Sequence, residues 1–156
     1  MIPFSHICQR NCDAHPNRWT RFTRDEQLTL MSLWALAASP LMLGMNLPDN
    51  DDWTTAIISN PEVLSVNQDS AGKPARRLAG PAQTDETWVK PLADGSLAVG
   101  FFNRADRPVK VDWAWRNLGF RFAPKVRDLW MRKDLGRQNK FVTELVPRGC
   151  ALLRVK

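Results

Sequence analysis

Four side chains of the types that bind zinc lie close together near the N-terminus: His6, Cys8, Cys12 and His15. Their spacing matches no common structural zinc pattern, and two ligands separated by one residue would give a cramped site. The sequence therefore favours a loop with incidental thiols over a metal site, and it predicts no cofactor. Together with Cys150 the chain has three cysteines, an odd count that leaves at least one unpaired.

The acidic residues offer no evident pair for acid/base chemistry. Asp49, Asp51 and Asp52 are neighbours, but they lack the glycine and the terminal glutamate of a calcium-binding loop. Such clusters are typical of turns and helix caps. Asp25 and Glu26 are expected in the first turn of a helix. The sequence thus predicts structural roles for these carboxylates.

Two tryptophans could form a platform for a sugar ring. Trp113 and Trp115 alternate along a predicted strand and would lie on one of its faces. The same face carries Val109 and Val111, so the two indoles could equally fill a core. The core interpretation is favoured over the platform, because large apolar side chains are usually buried.

Composition indicates a folded domain rather than a disordered or membrane-spanning chain. The 156 residues are 44% apolar and 24% charged, and no stretch approaches about 18 continuous apolar residues. The net charge of +6 comes from scattered basic residues without a nucleic-acid-binding motif. The sequence therefore predicts neither a nucleic-acid partner nor a membrane span, and it leaves the cellular compartment open.

The first half of the chain has the rhythm of a β/α barrel. A capping box at Thr23 predicts the start of a helix that is apolar nearly all round and therefore buried on several sides. Pro40 is expected to end it. The run Leu41–Leu43 then predicts a parallel strand buried on both faces. Further on, Asn60 and Pro61 predict the start of another short helix.

Beyond about residue 70 the apolar pattern changes to a period of two. Asp94 and Gly95 predict a tight hairpin turn between two strands. Further short strands follow at intervals of about ten residues, as in an antiparallel sandwich. The predicted fold class is α+β. A partial β/α-barrel remnant (helix–strand–helix) spans residues 1–70, and an antiparallel β-sandwich spans residues 71–156.

Five blocks, in this order, resemble the C-terminal part of α-galactosidases of glycoside hydrolase family 27. They are Ser32–Gly44, Asn60–Asp69, Trp88–Arg104, Val126–Gly136 and Leu145–Val155. The first two resemble the end of the catalytic barrel, and the other three resemble strands and turns of the sandwich that follows it. The resemblance covers residues 22–156.

This resemblance implies retaining hydrolysis of terminal α-galactosides by two aspartates on the fourth and sixth barrel strands. Those carboxyl groups would be about 5 Å apart, and no residue of this chain aligns with either of them. The chain is therefore expected to be a truncated hydrolase that is inactive alone. Met1 and Ile2 fit the end of the family's sugar-binding segment at the seventh strand, which would put Met1 at the edge of a sugar site.

Three further expectations follow. The sandwich would be the stable unit, with the N-terminal half loosely attached. The chain could dock onto an upstream barrel fragment or self-associate through the apolar helix Asp25–Ala38, and carbohydrate would be the ligand of the complete enzyme. The alternative function is a non-catalytic carbohydrate-binding or accessory module built on the sandwich.

Overall fold

The computed structural model describes residues 1–7, 18–78 and 85–156. Three α-helices come early in the chain: α1 (Arg24–Leu36), α2 (Asp52–Ile58) and α3 (Pro61–Asn67). The strands of the described ranges are β1 (His6–Ile7), β2 (Arg18–Trp19), β3 (Arg76–Leu78), β4 (Asp85–Pro91), β5 (Leu97–Asn103), β6 (Val109–Ala114), β7 (Lys125–Asp128), β8 (Lys133–Arg137), β9 (Lys140–Leu145) and β10 (Cys150–Val155). Short 3-10 helices span Leu47–Asp49 and Trp115–Leu118. Within these ranges no helix has both the length and the apolar character needed to cross a membrane.

Each α-helix begins at a side-chain cap that the sequence encodes. The Thr23 hydroxyl accepts from the Glu26 amide, and the Glu26 carboxylate accepts from the Thr23 amide, so the predicted capping box is confirmed. Asp51 caps α2, and Asn60 caps α3 immediately before Pro61. These caps satisfy backbone N–H groups that have no partner inside a helix.

Helix α1 ends earlier than its proline predicts. The last helical residue is Leu36, and Ala38 adopts a left-handed conformation with φ of 52°. A residue in that conformation breaks the helical hydrogen-bond pattern before Pro40 could do so. The predicted end at Pro40 is therefore a few residues late.

The second half forms two antiparallel sheets. The larger sheet has the strand order β3-β4-β5-β10-β7-β8, and β6 pairs with β9 in a two-stranded sheet. The β4–β5 hairpin turns at Asp94 and Gly95, where Gly95 has φ of 80°, so the predicted hairpin is confirmed. The periodicity did not predict β3 or β8, which are short and largely exposed.

The central strands of the six-stranded sheet are buried on both faces, which gives the fold three layers. Ala98 and Phe102 of β5 pack with the helices in one core, whereas Val99 and Phe101 pack with the small sheet in a second core. Successive residues of a strand point to opposite faces. This double burial explains why β5 is almost continuously apolar instead of alternating.

Helix α1 packs closely on the larger sheet. At Gly100 of β5, a Cβ atom would lie 2.6 Å from Cδ1 of Leu36, so the glycine is what allows this approach. Ile2 and Phe4 are also fully buried in the same core. The shared core favours one cooperative unit over the loose attachment of the N-terminal half that the sequence predicts.

The predicted buried strand Leu41–Leu43 is wrong in its extent. Among the described residues this segment forms one parallel bridge, between Ile2 and Leu43, and both Met42 and Leu43 are exposed, at 61% and 37%. The Ile2 amide donates to the Met42 carbonyl at 2.7 Å, and the Gly44 amide donates to the Ile2 carbonyl at 2.9 Å. The predicted parallel direction is confirmed, but the segment has a described partner on one edge only.

Candidate functional site

The candidate site lies where the two parallel segments end. Because Ile2 and Leu43 run in the same direction, the loops that follow them leave from the same edge. In barrels of parallel strands this carboxyl-terminal edge carries the active site. The residues after Ile2 and Leu43 are therefore the first place to search for functional side chains.

Met1 directly precedes the bridge residue Ile2 and lies close to Gly44. Its side chain is 74% exposed, and a Cβ atom on Gly44 would lie 2.9 Å from the Met1 Cβ, so the two backbones approach closely. A role for Met1 at the edge of a sugar site stays a prediction.

A small polar cluster joins the two chain segments that follow the bridge residues. The His6 Nδ1 lies 3.1 Å from an Asp49 oxygen, and the Asn46 amide donates to the same oxygen at 2.6 Å. These hydrogen bonds, first from His6 and then from Asn46, hold the pKa of Asp49 below its ordinary value. The carboxylate thereby stays ionised and orients the imidazole.

An aromatic side chain stands beside the histidine. The ring of Trp19, which is 54% exposed, lies 5.6 Å from the His6 ring between centroids. The imidazole, the carboxylate of Asp49 and this indole form a constellation that could contact a polar, ring-shaped ligand. The sequence analysis assigned no partner to His6, because the pair is separated by 43 positions and by two loops.

Several other acids have structural roles. Asp51 accepts from the Thr54 amide at 2.8 Å, and this bond lowers the pKa of Asp51. Asp69 accepts from the Ala93 amide at 3.0 Å and ties the end of the helical region to the β4–β5 hairpin. Asp25 and Glu26 lie in the first turn of α1, so the predicted structural roles are confirmed.

Further carboxylates are held in their ionised form. Burial opposes the ionisation of Glu86, yet hydrogen bonds from Trp88 and Arg104 lower its pKa overall. Hydrogen bonds from Ser96 lower the pKa of Asp94 to about 2. Every carboxyl group of the described ranges whose pKa clearly departs from its ordinary value departs downward. A general acid at neutral pH requires a departure in the opposite direction.

The tryptophan platform does not form. Trp115 is 1% exposed, and its ring lies 6.4 Å from the Phe101 ring and 6.3 Å from the Phe141 ring. Trp113 is half-buried and meets Phe101 edge-on at 5.8 Å. The prediction that these indoles belong to the sandwich core is confirmed.

The possible metal cluster of the N-terminus falls mostly outside the described ranges, since Cys8, Cys12 and His15 are not among the described residues. Within those ranges no three His, Cys, Asp or Glu side chains gather as metal ligands would. Burial raises the pKa of the Cys150 thiol to about 11, so this thiol stays protonated at neutral pH.

The burial of Lys90 was not predicted from the sequence. Lys90 of β4 is fully buried on the helix side of the larger sheet, and its ammonium donates to the carbonyls of Ala35 and Val66. Burial lowers the pKa of Lys90. The only signal in the sequence was its position two residues after Trp88, on a face that helices could cover.

Residues 82–155 match the family described as "Alpha galactosidase C-terminal beta sandwich domain". The alpha-galactosidase of Cyamopsis tetragonoloba is 36% identical over 110 residues, which are 69% of this chain and 26% of that protein. The isomalto-dextranase of Arthrobacter globiformis is 35% identical over 151 residues, which are 88% of this chain and 23% of that protein.

The similarity extends to the three-dimensional structure over the whole chain. A GH27 β-L-arabinopyranosidase from Geobacillus stearothermophilus superposes with a TM-score of 0.90 at 37% identity, covering 100% of this chain and 36% of that one. A variant of that protein, solved in complex with arabinose, gives the same values. This chain therefore spans between about a quarter and a third of the length of these relatives.

Proposed function

This chain is homologous to the C-terminal part of the α-galactosidases of glycoside hydrolase family 27, and we propose that it serves an enzyme that hydrolyses terminal α-galactosides with retention of configuration. In this proposal the 156 residues contribute the end of the catalytic barrel and the sandwich that follows it. They do not hydrolyse galactosides by themselves. The two catalytic aspartates would come from barrel strands outside these residues.

The state of the carboxyl groups supports the proposed lack of activity. Retaining hydrolysis requires two carboxyl groups about 5 Å apart, one of which must be protonated to act as the acid. Here Asp49 is held by His6 and Asn46, and Glu62 forms a two-point ion pair with Arg127. The pKa of each of these two acids is lowered. Neither Asp49 nor Glu62 is therefore suited to protonate a leaving group at neutral pH.

The exposed apolar residues beside the parallel bridge support a partner at this edge. Met1, Met42, Leu43 and Leu47 are between 37% and 74% exposed. An unpaired edge of a parallel strand also presents free backbone N–H and C=O groups. We propose that the preceding barrel strands cover this edge. Self-association through the same residues is the competing outcome for the isolated chain.

The proposed substrate, an α-galactoside, is inferred from the activities of the relatives. α-Galactosidases and a β-L-arabinopyranosidase both match this chain. The β-L-arabinopyranose ring has the configuration of the α-D-galactose ring without its hydroxymethyl group, so one site could take either sugar. An isomalto-dextranase matches as well, which makes another glycoside the competing specificity.

A direct assay tests the proposed lack of activity. The purified chain is incubated with a chromogenic α-galactoside, and release of the chromophore is compared with buffer alone. We expect no turnover above the buffer rate. Turnover that disappears in Asp49→Asn but persists in the exposed-site control Asp106→Asn would contradict the proposal, because it would place a catalytic carboxylate within this chain.

A mixing experiment tests the proposed partner. A polypeptide carrying the preceding strands of a family 27 barrel is added to the purified chain, and association is followed by analytical ultracentrifugation. We expect a one-to-one complex that is weakened by Met42→Asp or Leu43→Asp, because a charge at a covered apolar edge is costly. Formation of homodimers with no added affinity for the barrel polypeptide would favour self-association instead.

A further inference from the structure

A cavity lies at the end of the small sheet, on the side of the larger sheet away from the helices. Its volume is about 400 Å³, within the range of small-molecule sites. The side chains that could contact a ligand there are Arg116, Phe120, Arg121, Phe122, Asn139 and Lys140. These residues come from two segments, one after β6 and one at the start of β9.

The chain turns back on itself to form this cavity. The 3-10 helix Trp115–Leu118 ends at Gly119, whose φ of 86° allows the left-handed turn that closes the helix. Below the cavity, the Trp115 amide donates to the Asn139 carbonyl at 3.0 Å and joins the two segments. The buried ring of Trp115 packs into the sandwich core, so the floor of the cavity rests on that core.

The cavity is strongly basic. Arg116 and Arg121 are exposed, and neither forms an ion pair or a side-chain hydrogen bond within the described part of the chain. Lys140 is paired with the exposed carboxylate of Asp112 at 3.0 Å. No acidic side chain lines the cavity. Two guanidinium groups are thus available to bind an anion, and their planar geometry suits a carboxylate.

An aromatic side chain stands beside these cations. Phe122 is 85% exposed, the largest exposure of any large hydrophobic side chain in the described ranges, while Phe120 packs partly against the sandwich core. A phenyl ring so exposed gains little from folding and marks a contact surface. Its apolar face can pack against the C–H groups of a sugar ring. A simple inorganic anion has no such groups and would not make this contact.

We propose that this cavity binds a saccharide that carries a carboxylate, namely a uronic acid unit of a polysaccharide. Arg116 and Arg121 bind the carboxylate, and Phe122 packs against the sugar ring. Asn139 and Lys140 are placed to hydrogen-bond ring hydroxyls. This inference does not depend on the proposed hydrolytic activity, because it uses no residue of the helix side of the larger sheet.

A matched pair of ligands tests the proposal. Binding of trigalacturonate and of neutral galactotriose to the purified chain is measured by isothermal titration calorimetry. We expect trigalacturonate to bind roughly tenfold or more tightly than galactotriose, and its affinity to fall as salt rises. Equal affinities for the two ligands, or no binding of trigalacturonate at millimolar concentration, would overturn the proposal.

Variants separate the carboxylate contact from the ring contact. Arg116→Gln combined with Arg121→Gln is expected to lower the affinity for trigalacturonate by roughly tenfold or more. Arg107→Gln combined with Lys110→Gln removes the same net charge outside the cavity and is expected to leave the affinity nearly unchanged. An equal loss in both double variants would overturn the site, because it would reduce the interaction to net charge.

The aromatic contact has its own readout. Phe122→Ala is expected to weaken trigalacturonate binding severalfold. The affinity for sulfate, measured by its competition with trigalacturonate, should stay unchanged. If sulfate displaces trigalacturonate and Phe122→Ala changes neither ligand, the cavity is an inorganic-anion site only and the saccharide proposal fails. Phe122 is exposed, so the variant is expected to fold, and its far-UV circular dichroism and thermal unfolding verify this.

Discussion

The side-chain ammonium of Lys90 donates a hydrogen bond to the backbone carbonyl of Val66, near the C-terminal end of α3. A second hydrogen bond, 3.3 Å long, reaches the carbonyl of Ala35 near the C-terminal end of α1. The carbonyl ends of helices carry partial negative charge. One buried cation therefore binds the ends of two helices to the middle layer of the fold.

Removing this cation should destabilise the chain. Lys90→Met keeps most of the side-chain volume but leaves the Val66 carbonyl buried without its donor. We expect a loss of about 1–3 kcal/mol in the free energy of unfolding, measured in urea. Lys110→Met, at an exposed position of β6, is the control and should change stability by less than about 0.5 kcal/mol. Equal stability of Lys90→Met and the unchanged chain would show that the ammonium contributes nothing net.

A second link between the halves depends on pH. The guanidinium of Arg127 in β7 donates to both carboxylate oxygens of Glu62 in α3 at 2.7 Å, which holds the pKa of Glu62 below its ordinary value. A carboxyl group whose pKa is lowered by folding stabilises the native state above its unfolded pKa. That contribution is lost as pH falls through the lowered, folded-state pKa.

Glu62→Gln should therefore reduce stability at neutral pH and flatten the acid side of the stability profile. The difference between the two chains should be largest above the ordinary pKa of about 4.5 and shrink at more acidic pH. The measurement is chemical denaturation at a series of pH values. Asp106→Asn, in an ion pair whose carboxylate is 85% exposed, serves as control and should leave the profile unchanged. A pH-independent effect of Glu62→Gln would contradict the ion-pair explanation.

Asn103, the last residue of β5, joins the end of this strand to the end of β9. The side-chain amide of Asn103 donates to the carbonyls of Arg107, Leu145 and Val146, and its oxygen accepts from the Ala105 amide. Asn103 is 2% exposed. Because three carbonyl oxygens surround the NH₂ group, the carboxylate oxygen that replaces it in an aspartate would face only acceptors.

Asn103→Asp should consequently destabilise the fold by about 3–5 kcal/mol at neutral pH, the cost of an uncompensated buried charge. The loss should diminish as pH falls, because the protonated acid can again donate to one carbonyl. Urea denaturation at neutral and acidic pH measures both effects. Asn117→Asp, at an exposed position, is the control and should have little effect at either pH. An equal, small effect of both substitutions would contradict the assigned network.

The elements that local chemistry dictates could be predicted from the sequence. The capping box at Thr23, the Asn60–Pro61 helix start and the Asp94–Gly95 turn each depend on residues adjacent in the chain. Such signals do not require knowledge of the tertiary fold. The burial of Trp115 was also predicted, because a large apolar side chain on a period-two strand usually faces a core.

The features that depend on distant packing could not be predicted. His6 meets Asp49 only because the chain brings two parallel segments side by side, and a histidine alone does not identify its partner. The strand β5 was predicted only as part of the period-two pattern, which does not indicate that helices would cover one of its faces. The basic cavity was not predicted, because Arg116 and Lys140 are far apart in sequence and approach one another only through the β6–β9 pairing.

The close contact between α1 and β5 tests whether the two halves fold as one unit. A methyl group at Gly100 would lie 2.6 Å from Leu36 Cδ1 and 2.7 Å from the Phe102 ring, so Gly100→Ala must displace the helix or the ring. We expect Gly100→Ala to lower the free energy of unfolding by about 1–3 kcal/mol. Leu36→Ala should destabilise the Gly100→Ala variant less than it destabilises the unchanged chain, because it removes the obstructing methyl group.

Hydrogen exchange locates the effect along the chain. If the helices and the larger sheet unfold together, Gly100→Ala should lower the protection of α1 amides and of β5 and β10 amides by the same factor. If the N-terminal half is only loosely attached, protection should fall in α1 while the strands keep theirs. The second result would restore the sandwich as the independent stable unit. The burial of Ile2 and Leu36 in the core shared with the larger sheet favours the first.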